Sequence, residues 1–290
     1  MWVVGLTMAL AAEPYRIAIT LDDLPFVGAV DAAGREAATA RILGHLAAEK
    51  VTAAGFVNCG KPDQALLAGW SAAGHSLGNH TASHLDIDKV PLDRWLDDAR
   101  ACHVALTQSG TPPTTFRYPY LRHGDDLATR DAARAVLTGE LGQTIAHVSV
   151  DNHDWKLGFW YGDAVASGDA ARAAAVAAVY PDHLVDAVRH AREVSRAKLG
   201  RDVDHVLLLH ANLLAADHLG AALRALRADG AVFIPLEEAL RDPVYAMPDE
   251  AVVTGGISWL YRIRREVEPS DWETATWHEL TARFEPPKAP

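Results

Sequence analysis

The sequence predicts an α/β fold of the barrel type, and three observations predict it. Short β-forming runs alternate with longer helical stretches along most of the 290 residues. Seven such runs suit a distorted parallel (β/α) barrel better than a small open sheet. None is followed by a glycine-rich phosphate fingerprint, which sets dinucleotide folds aside. Hydrophobic residues make up 49% of the chain and charged residues 22%, enough apolar material for one large domain core.

Taken in order, the strands read as 16–21, 53–58, 76–79, 114–117, 144–150, 205–209 and 231–235. Helices lie between them near 34–49, 64–73, 91–109, 125–140, 181–199 and 215–229. Pro91 stands at one helix start, and Gly200 and Gly230 follow the ends of two others, as helix boundaries prefer. Residues 156–180, from KLGFWYGD to AAAVAAVY, fall outside the alternation. They read as an insertion after the fifth strand, an aromatic cluster followed by an extra helix. Residues 241–290 begin at the proline-bearing RDPVYAMPDE and carry Trp259, Trp272 and Trp277 with little periodicity. They read as a C-terminal extension packed on a main domain of residues 15–240.

Residues 1–14, MWVVGLTMALAAEP, form a short apolar stretch with Ala9-Leu10-Ala11, a pattern of the kind cut by signal peptidase. It is too short to span a bilayer as a helix and lacks a basic start, so it reads as a leader and predicts export to the periplasm or outside. Were it instead a buried N-terminal segment, the protein would be cytoplasmic. No other segment predicts a membrane span. A formal net charge of −11 argues against nucleic acid and against anionic membranes. Two cysteines, Cys59 and Cys102, are too few for a disulfide scaffold or a zinc knuckle and leave one bridge open as a question. Oligomeric state is not written in these features.

In parallel barrels the chemistry sits at the C-terminal ends of strands, and the unusual polar clusters collect there. The first strand delivers ITLDDLPF, with Asp22 and Asp23; the third delivers GNHTASH, with His80 and His84. FRYPY follows on the fourth, with Arg117 and Tyr120, and SVDNHDW on the fifth, with Asp151, Asp154 and Trp155. The sixth, VLLLH, ends on His210. Each has an ordinary reading alone: Asp-Asp-x-Pro is turn chemistry, a lone arginine a surface ion pair, a histidine after leucines a strand-end hydrogen bond. Adjacent carboxylates repel, however, unless a cation holds one of them. Two histidines four apart would share a face if one helical turn joined them, and a third ligand from another strand would leave open positions on a bound ion.

Together these motifs resemble the polysaccharide deacetylases, the NodB-like carbohydrate esterases of family 4. TLDD, HTASH, RYPY, DNHDW and VLLLH stand in that family's order across roughly residues 15–240. The resemblance implies a NodB-like barrel and one divalent metal ion, usually zinc, bound by Asp23, His80 and His84. It implies that Asp22 is the general base, held by Arg117, and that the backbone N–H of Tyr120 supports an oxyanion. His210 would be the general acid, kept protonated by Asp154, and Tyr120, Trp155 and Leu208 would contact the substrate, an acetylated carbohydrate. His75 and His153 read as structural, His123 has no required role, and Asp151 reads as a brace. Departures are Leu21 in place of an aromatic, Tyr118 where proline is frequent, and Leu121 where glycine is usual after Tyr120. Phe159, Trp160 and Tyr161 of the insertion are candidates for stacking on sugar rings. Two rival functions share the sequence: hydrolysis of a non-carbohydrate amide or cyclic imide, and a catalytically silent carbohydrate-binding protein. The silent reading predicts damage in the site set, and no member of it is missing.

Overall fold

The structure, a computed structural model, describes residues 13–28, 30–60, 63–264 and 271–285. Residues 1–12 of the leader-like segment lie outside them. The strands are β1 (Tyr15–Leu24), β2 (Ala53–Val57), β3 (Ser76–Asn79), β4 (Thr115–Phe116), β5 (Thr144–Ile145), β6 (His205–His210) and β7 (Ala231–Phe233). All pair in parallel, in the order β5-β4-β3-β2-β1-β6, with β7 paired to the start of β1.

Between β5 and β6 the ring is closed by a single bridge, Val150 to Leu207. There the Val150 N–H donates to Val206 O at 3.0 Å and Leu208 N–H donates to Val150 O at 3.1 Å. The barrel is therefore distorted, as expected, but its fifth strand is not continuous over 144–150. Ladder pairing stops at Ile145 because the Ala146 carbonyl turns inward to accept from Arg117 Nε at 2.7 Å. The fourth strand is likewise shorter than 114–117.

Period-two alternation along β1 decides what faces where. Ile17, Ile19 and Leu21 join Leu207 and Leu209 of β6 in the main core against the surrounding helices. Fully burying a leucine or isoleucine stabilises the fold by about 1.5–3 kcal/mol. Ala18 faces the other way, into a cluster with Ala54, Phe56, Ala146 and Val206 that fills the barrel. Thr20 and Asp22 follow Ala18 on that inner face. In register, Asp22 stands opposite His210 of β6.

The helices are α1 (Ala32–Ala48), α2 (Gln64–Ala72), α3 (Leu92–Gln108), α4 (Leu127–Ala135), α5 (Asp154–Ser167), α6 (Ala170–Leu199) and α7 (Leu213–Ala228). Residues 136–140 continue α4 as a wider, π-type turn. The aromatic cluster of the insertion is itself helical, and the extra helix is one with the helix read near 181–199. Here α5 begins at Asp154, and α6 begins at Ala170, capped by Asp169 through the Arg172 N–H. Alanine-rich sequence carries α6 through Pro181, whose missing N–H costs one helical hydrogen bond. Trp160 and Tyr161 are buried in the core, which removes them as sugar-stacking surfaces, while Phe159 is exposed.

Cys59 and Cys102 form a disulfide that ties the loop after β2 to α3, with their Cα atoms 5.0 Å apart. The extension wraps the barrel. Its Trp259 N–H donates to Val148 O at 2.6 Å, and the helix Trp272–Phe284 stacks Trp272 on His190 and Trp277 on Trp155. No helix among the described residues is long and apolar enough to cross a membrane.

Candidate active site

The polar rim is assembled by strand ends and three tight backbone turns. β1 delivers Asp22 to the barrel interior, where it is buried. Asp23 then takes the left-handed conformation (φ 63°), which swings its carboxylate out of the strand's alternation and toward the third strand's loop. Asn58, at the end of β2, fixes it by donating from Nδ2 to Asp23 Oδ1 at 2.7 Å.

The two histidines do meet, but not through a helical turn. Residues 80–84 form a loop in which Thr81 and His84 both have positive φ, 64° and 53°. Asn79 holds its start: Oδ1 accepts from the Thr81 N–H at 2.9 Å while Nδ2 donates to Ala99 O at 2.9 Å. Its end is held by Thr81 Oγ1, which accepts from the His84 N–H at 3.0 Å. Buried His80 donates from Nδ1 to the Arg117 carbonyl at 2.8 Å, which fixes its tautomer and leaves Nε2 as a lone-pair donor.

The result is a three-residue cluster. Asp23 Oδ1 lies 3.8 Å from His80 Nε2 and 3.4 Å from His84 Nε2, and the three candidate ligand atoms lie within 4.8 Å of one another. Ligands about 2.0–2.2 Å from a tetrahedral ion stand about 3.3–3.6 Å apart, so the Asp23–His84 spacing suits a small divalent ion and the wider spacings would close on binding it. Electrostatics agree. Burial and the neighbouring His80 push the His84 imidazole down to about 4, so it is neutral at neutral pH, the state a metal ligand needs. Burial works to raise the Asp23 carboxyl, but His210, His80, His84 and the Asn58 hydrogen bond outweigh it and hold it below its ordinary value.

Beside the cluster, Arg117 grips Asp22 from within the barrel. Its Nη1 lies 3.1 Å and 3.4 Å from the two carboxylate oxygens, its Nη2 donates to Thr20 Oγ1 at 3.2 Å, and its guanidinium sits over the Phe56 ring. Asp22 Oδ2 is 3.6 Å from His80 Nε2. On the far side, Asp154 holds His210 twice, accepting from its Nδ1 at 2.8 Å and its backbone N–H at 2.8 Å. Burial opposes a charged His210, yet the Asp154 carboxylate prevails and raises the imidazole to about 10. Asn152 orients this pair: Oδ1 accepts from the Asp154 N–H and Nδ2 donates to Leu208 O. Asp151 accepts from the Asn152 N–H at 2.8 Å, the bracing part read for it, with burial pushing its carboxyl up to about 6.

Tyr120 sits in a turn with φ 58°, half out in solvent, its ring against His84 with centroids 4.4 Å apart. Leu121 follows at φ 53°, which explains physically why a glycine would suit that position. Leu121, Val148 and Leu208 form a small apolar cluster of their own. Trp155 is half-exposed and stacked on Trp277. A cleft of about 610 Å³ opens beside Asp23 and His84, lined also by Phe26, Arg35, Asn58 and Ser83. Of the remaining histidines, His75 accepts from the Ala53 N–H, His153 stands against His183, and His123 is buried against Asp249.

Sequence reasoning passed over Thr20, Asn58, Asn79 and Asn152. Asn79 and Asn152 had a visible signal, an Asn immediately before a histidine or aspartate motif, where its side chain can bond backbone two residues on.

The sequence profile of the polysaccharide deacetylases matches residues 11–137. Over that stretch, less than half of its length, the chain is similar to polysaccharide deacetylases. No curated protein matches it by sequence. Solved structures similar to this chain include a family 4 carbohydrate esterase from Streptomyces lividans in complex with acetate. It is 20% identical, with 79% of this chain and 97% of that one covered and a TM-score of 0.52. The peptidoglycan deacetylase PdaC from Bacillus subtilis is 21% identical over 78% and 91% of the two chains, TM-score 0.52. A family 4 acetyl xylan esterase from Clostridium thermocellum, in complex with a cobalt ion, is 19% identical over 77% and 89%, TM-score 0.52. At these identities the likeness is one of fold, a parallel sheet curled into the NodB-like barrel. The profile match ends before Asp154 and His210, which this structure brings to the same rim as Asp22.

Proposed function

We propose that the chain is a metal-dependent hydrolase that removes acetyl groups from an N-acetylated or O-acetylated glycan. The observation that carries it is the convergence of Asp23, His80 and His84 between a carboxylate gripped by Arg117 and an imidazole gripped by Asp154. A divalent ion held by those three side chains, zinc by preference for such a donor set, supplies Lewis acidity to the acyl oxygen and to water.

The chain's own groups do the rest. Asp22 accepts the proton of the attacking water, and Arg117 holds its carboxylate so that Oδ2 stays toward the His80 side. The Tyr120 N–H donates to the developing oxyanion. His210 carries a proton at neutral pH because Asp154 raises it, and gives that proton to the departing amine or alkoxide. Leu208, with Leu121 and Val148, offers an apolar wall to the acetyl methyl, and Trp155 borders the acid side. Solved structures with this fold include both a peptidoglycan deacetylase and an acetyl xylan esterase, which supports acetylated glycans as the substrate class without choosing between nitrogen and oxygen. The Cys59–Cys102 bridge supports an oxidising compartment, and with the leader-like start we propose export.

The deciding experiment measures acetate release from chito-oligosaccharides, peptidoglycan fragments and acetylated xylan, with ureides and cyclic imides in parallel. The protein is stripped by chelation and reloaded with zinc or cobalt. Acetate should appear only after reloading. Undiminished release from strictly metal-free protein, or turnover of imides alone, would overturn the proposal. A pseudoenzyme of the same carbohydrate esterase family shares the fold, so failure on every substrate by protein shown to hold the ion would favour the silent reading.

A further inference from the structure

The turn that carries Tyr120, closed by the Leu121 N–H to Tyr118 O and Arg122 N–H to Pro119 O bonds at 3.1 Å, is also touched from outside the barrel motifs. Tyr120 and Leu121 are consecutive non-glycine residues with φ of 58° and 53°. Such conformations persist only where surrounding structure over-determines them. What presses on this turn comes from the C-terminal extension. A Cβ built on Gly256 would lie 1.8 Å from the Tyr120 carbonyl oxygen, 2.9 Å from its carbon and 3.2 Å from Leu121 Cβ. No side chain fits there, and Gly256 is a glycine because of this approach, not because of its own backbone angle.

Both flanks of Gly256 are anchored. Gly255 N–H points at Asp88 Oδ2 at 3.4 Å, and Asp88 also stands 3.9 Å from Arg122 Nε, just past the turn. Trp259 N–H donates to Val148 O at 2.6 Å, placing the extension against the residue that packs with Leu121 and Leu208. Further back, Asp249 binds Arg262 Nε at 2.9 Å and His123 Nδ1 at 3.2 Å. Arg130 Nη1 donates to Asp249 O at 2.8 Å.

We propose that Gly256 is a positioning residue: the extension segment Asp249–Arg262, through its contact with the Tyr120 carbonyl, sets the turn that aims the Tyr120 N–H. This rests on the reading of that N–H as the oxyanion donor. The extension is thereby a working part of the site, although it lies beyond the stretch matched by the family profile.

The test compares Gly256→Ala and Gly256→Val with the parent enzyme. Acetate release is read as kcat and KM separately, together with bound metal, thermal midpoint and hydrogen–deuterium exchange of peptides covering 117–122 and 15–24. Gly256→Ala should lower kcat at least tenfold, with KM within about threefold, full metal content, and faster exchange in 117–122 but not in 15–24. Gly256→Val should exaggerate each change. Unchanged kcat and exchange in Gly256→Ala would overturn the proposal, as would a kcat loss matched by equal loss of metal or of folded protein. The exchange readout needs no substrate, so a chain that deacetylates nothing would sink the functional reading while still reporting on Gly256.

Discussion

His80 shows how one hydrogen bond gives a side chain its chemical role. By donating from Nδ1 to the Arg117 carbonyl, it presents Nε2 to Asp23 and His84, and the same arginine grips Asp22. The proposed base and ligand set are thus fixed through one residue. His80→Ala should lose both bound metal and turnover, read by metal analysis and acetate release on the same sample. Asp22→Asn should keep the metal and lose about 10²–10⁴-fold in kcat, the usual worth of a positioned acid or base. Asp154 raises His210, so the proposed acid stays protonated through neutral pH and is lost as pH rises. Asp154→Asn removes the raising charge and should move the alkaline limb of kcat/KM to lower pH by about 1–3 units. A limb that stays in place would assign the proton to another group.

Among the elements, the loop 79–84 departs most from what its spacing suggests. Two histidines four apart imply a helical turn, yet left-handed residues at Thr81 and His84, tied by Asn79 and Thr81 side chains, bring the imidazoles together instead. Asn79 is therefore part of the ligand geometry. Asn79→Ala should cost about 1–3 kcal/mol by stranding buried partners, seen in the denaturation midpoint, and should weaken metal binding in titration. The identity and order of the polar motifs were legible because four of the five follow directly on a buried strand, where little else explains a carboxylate or imidazole; DNHDW follows only the Val150 bridge. Local paths were not legible. The inward carbonyl of Ala146 ends β5 early, and alanine-rich sequence starts α6 well before Pro181. The first is decided by a contact that no local pattern encodes; in the second, helix propensity and the Asp169 cap outweigh the break that Pro181 suggests. The extension was harder still: Gly256 carries no side chain to read, and its meaning lies entirely in what it touches.

At the scale of the molecule, the metal cluster joins the ends of β1 and β3, while Arg117 and His210 come from β4 and β6. An ion bound to the native state alone stabilises the whole barrel by about 2.7 kcal/mol when free ion exceeds Kd a hundredfold. Chelation should therefore lower the melting temperature by several degrees, and zinc should restore it. His80→Ala should melt at one temperature with or without chelator.

Asp22 and His210 face each other across the β1–β6 ladder, so the two groups proposed to handle protons are rungs on adjacent rails about 4.8 Å apart. Their spacing is owed to peptide hydrogen bonding, such as the Ala211 N–H to Asp22 O contact at 3.0 Å, and scarcely to side-chain flexibility. Sliding either rail by one residue would put Leu209 or Ala211 opposite the carboxylate and turn His210 to the wrong face. In this protein the alignment of the sheet and the pairing of donor with acceptor are one and the same specification.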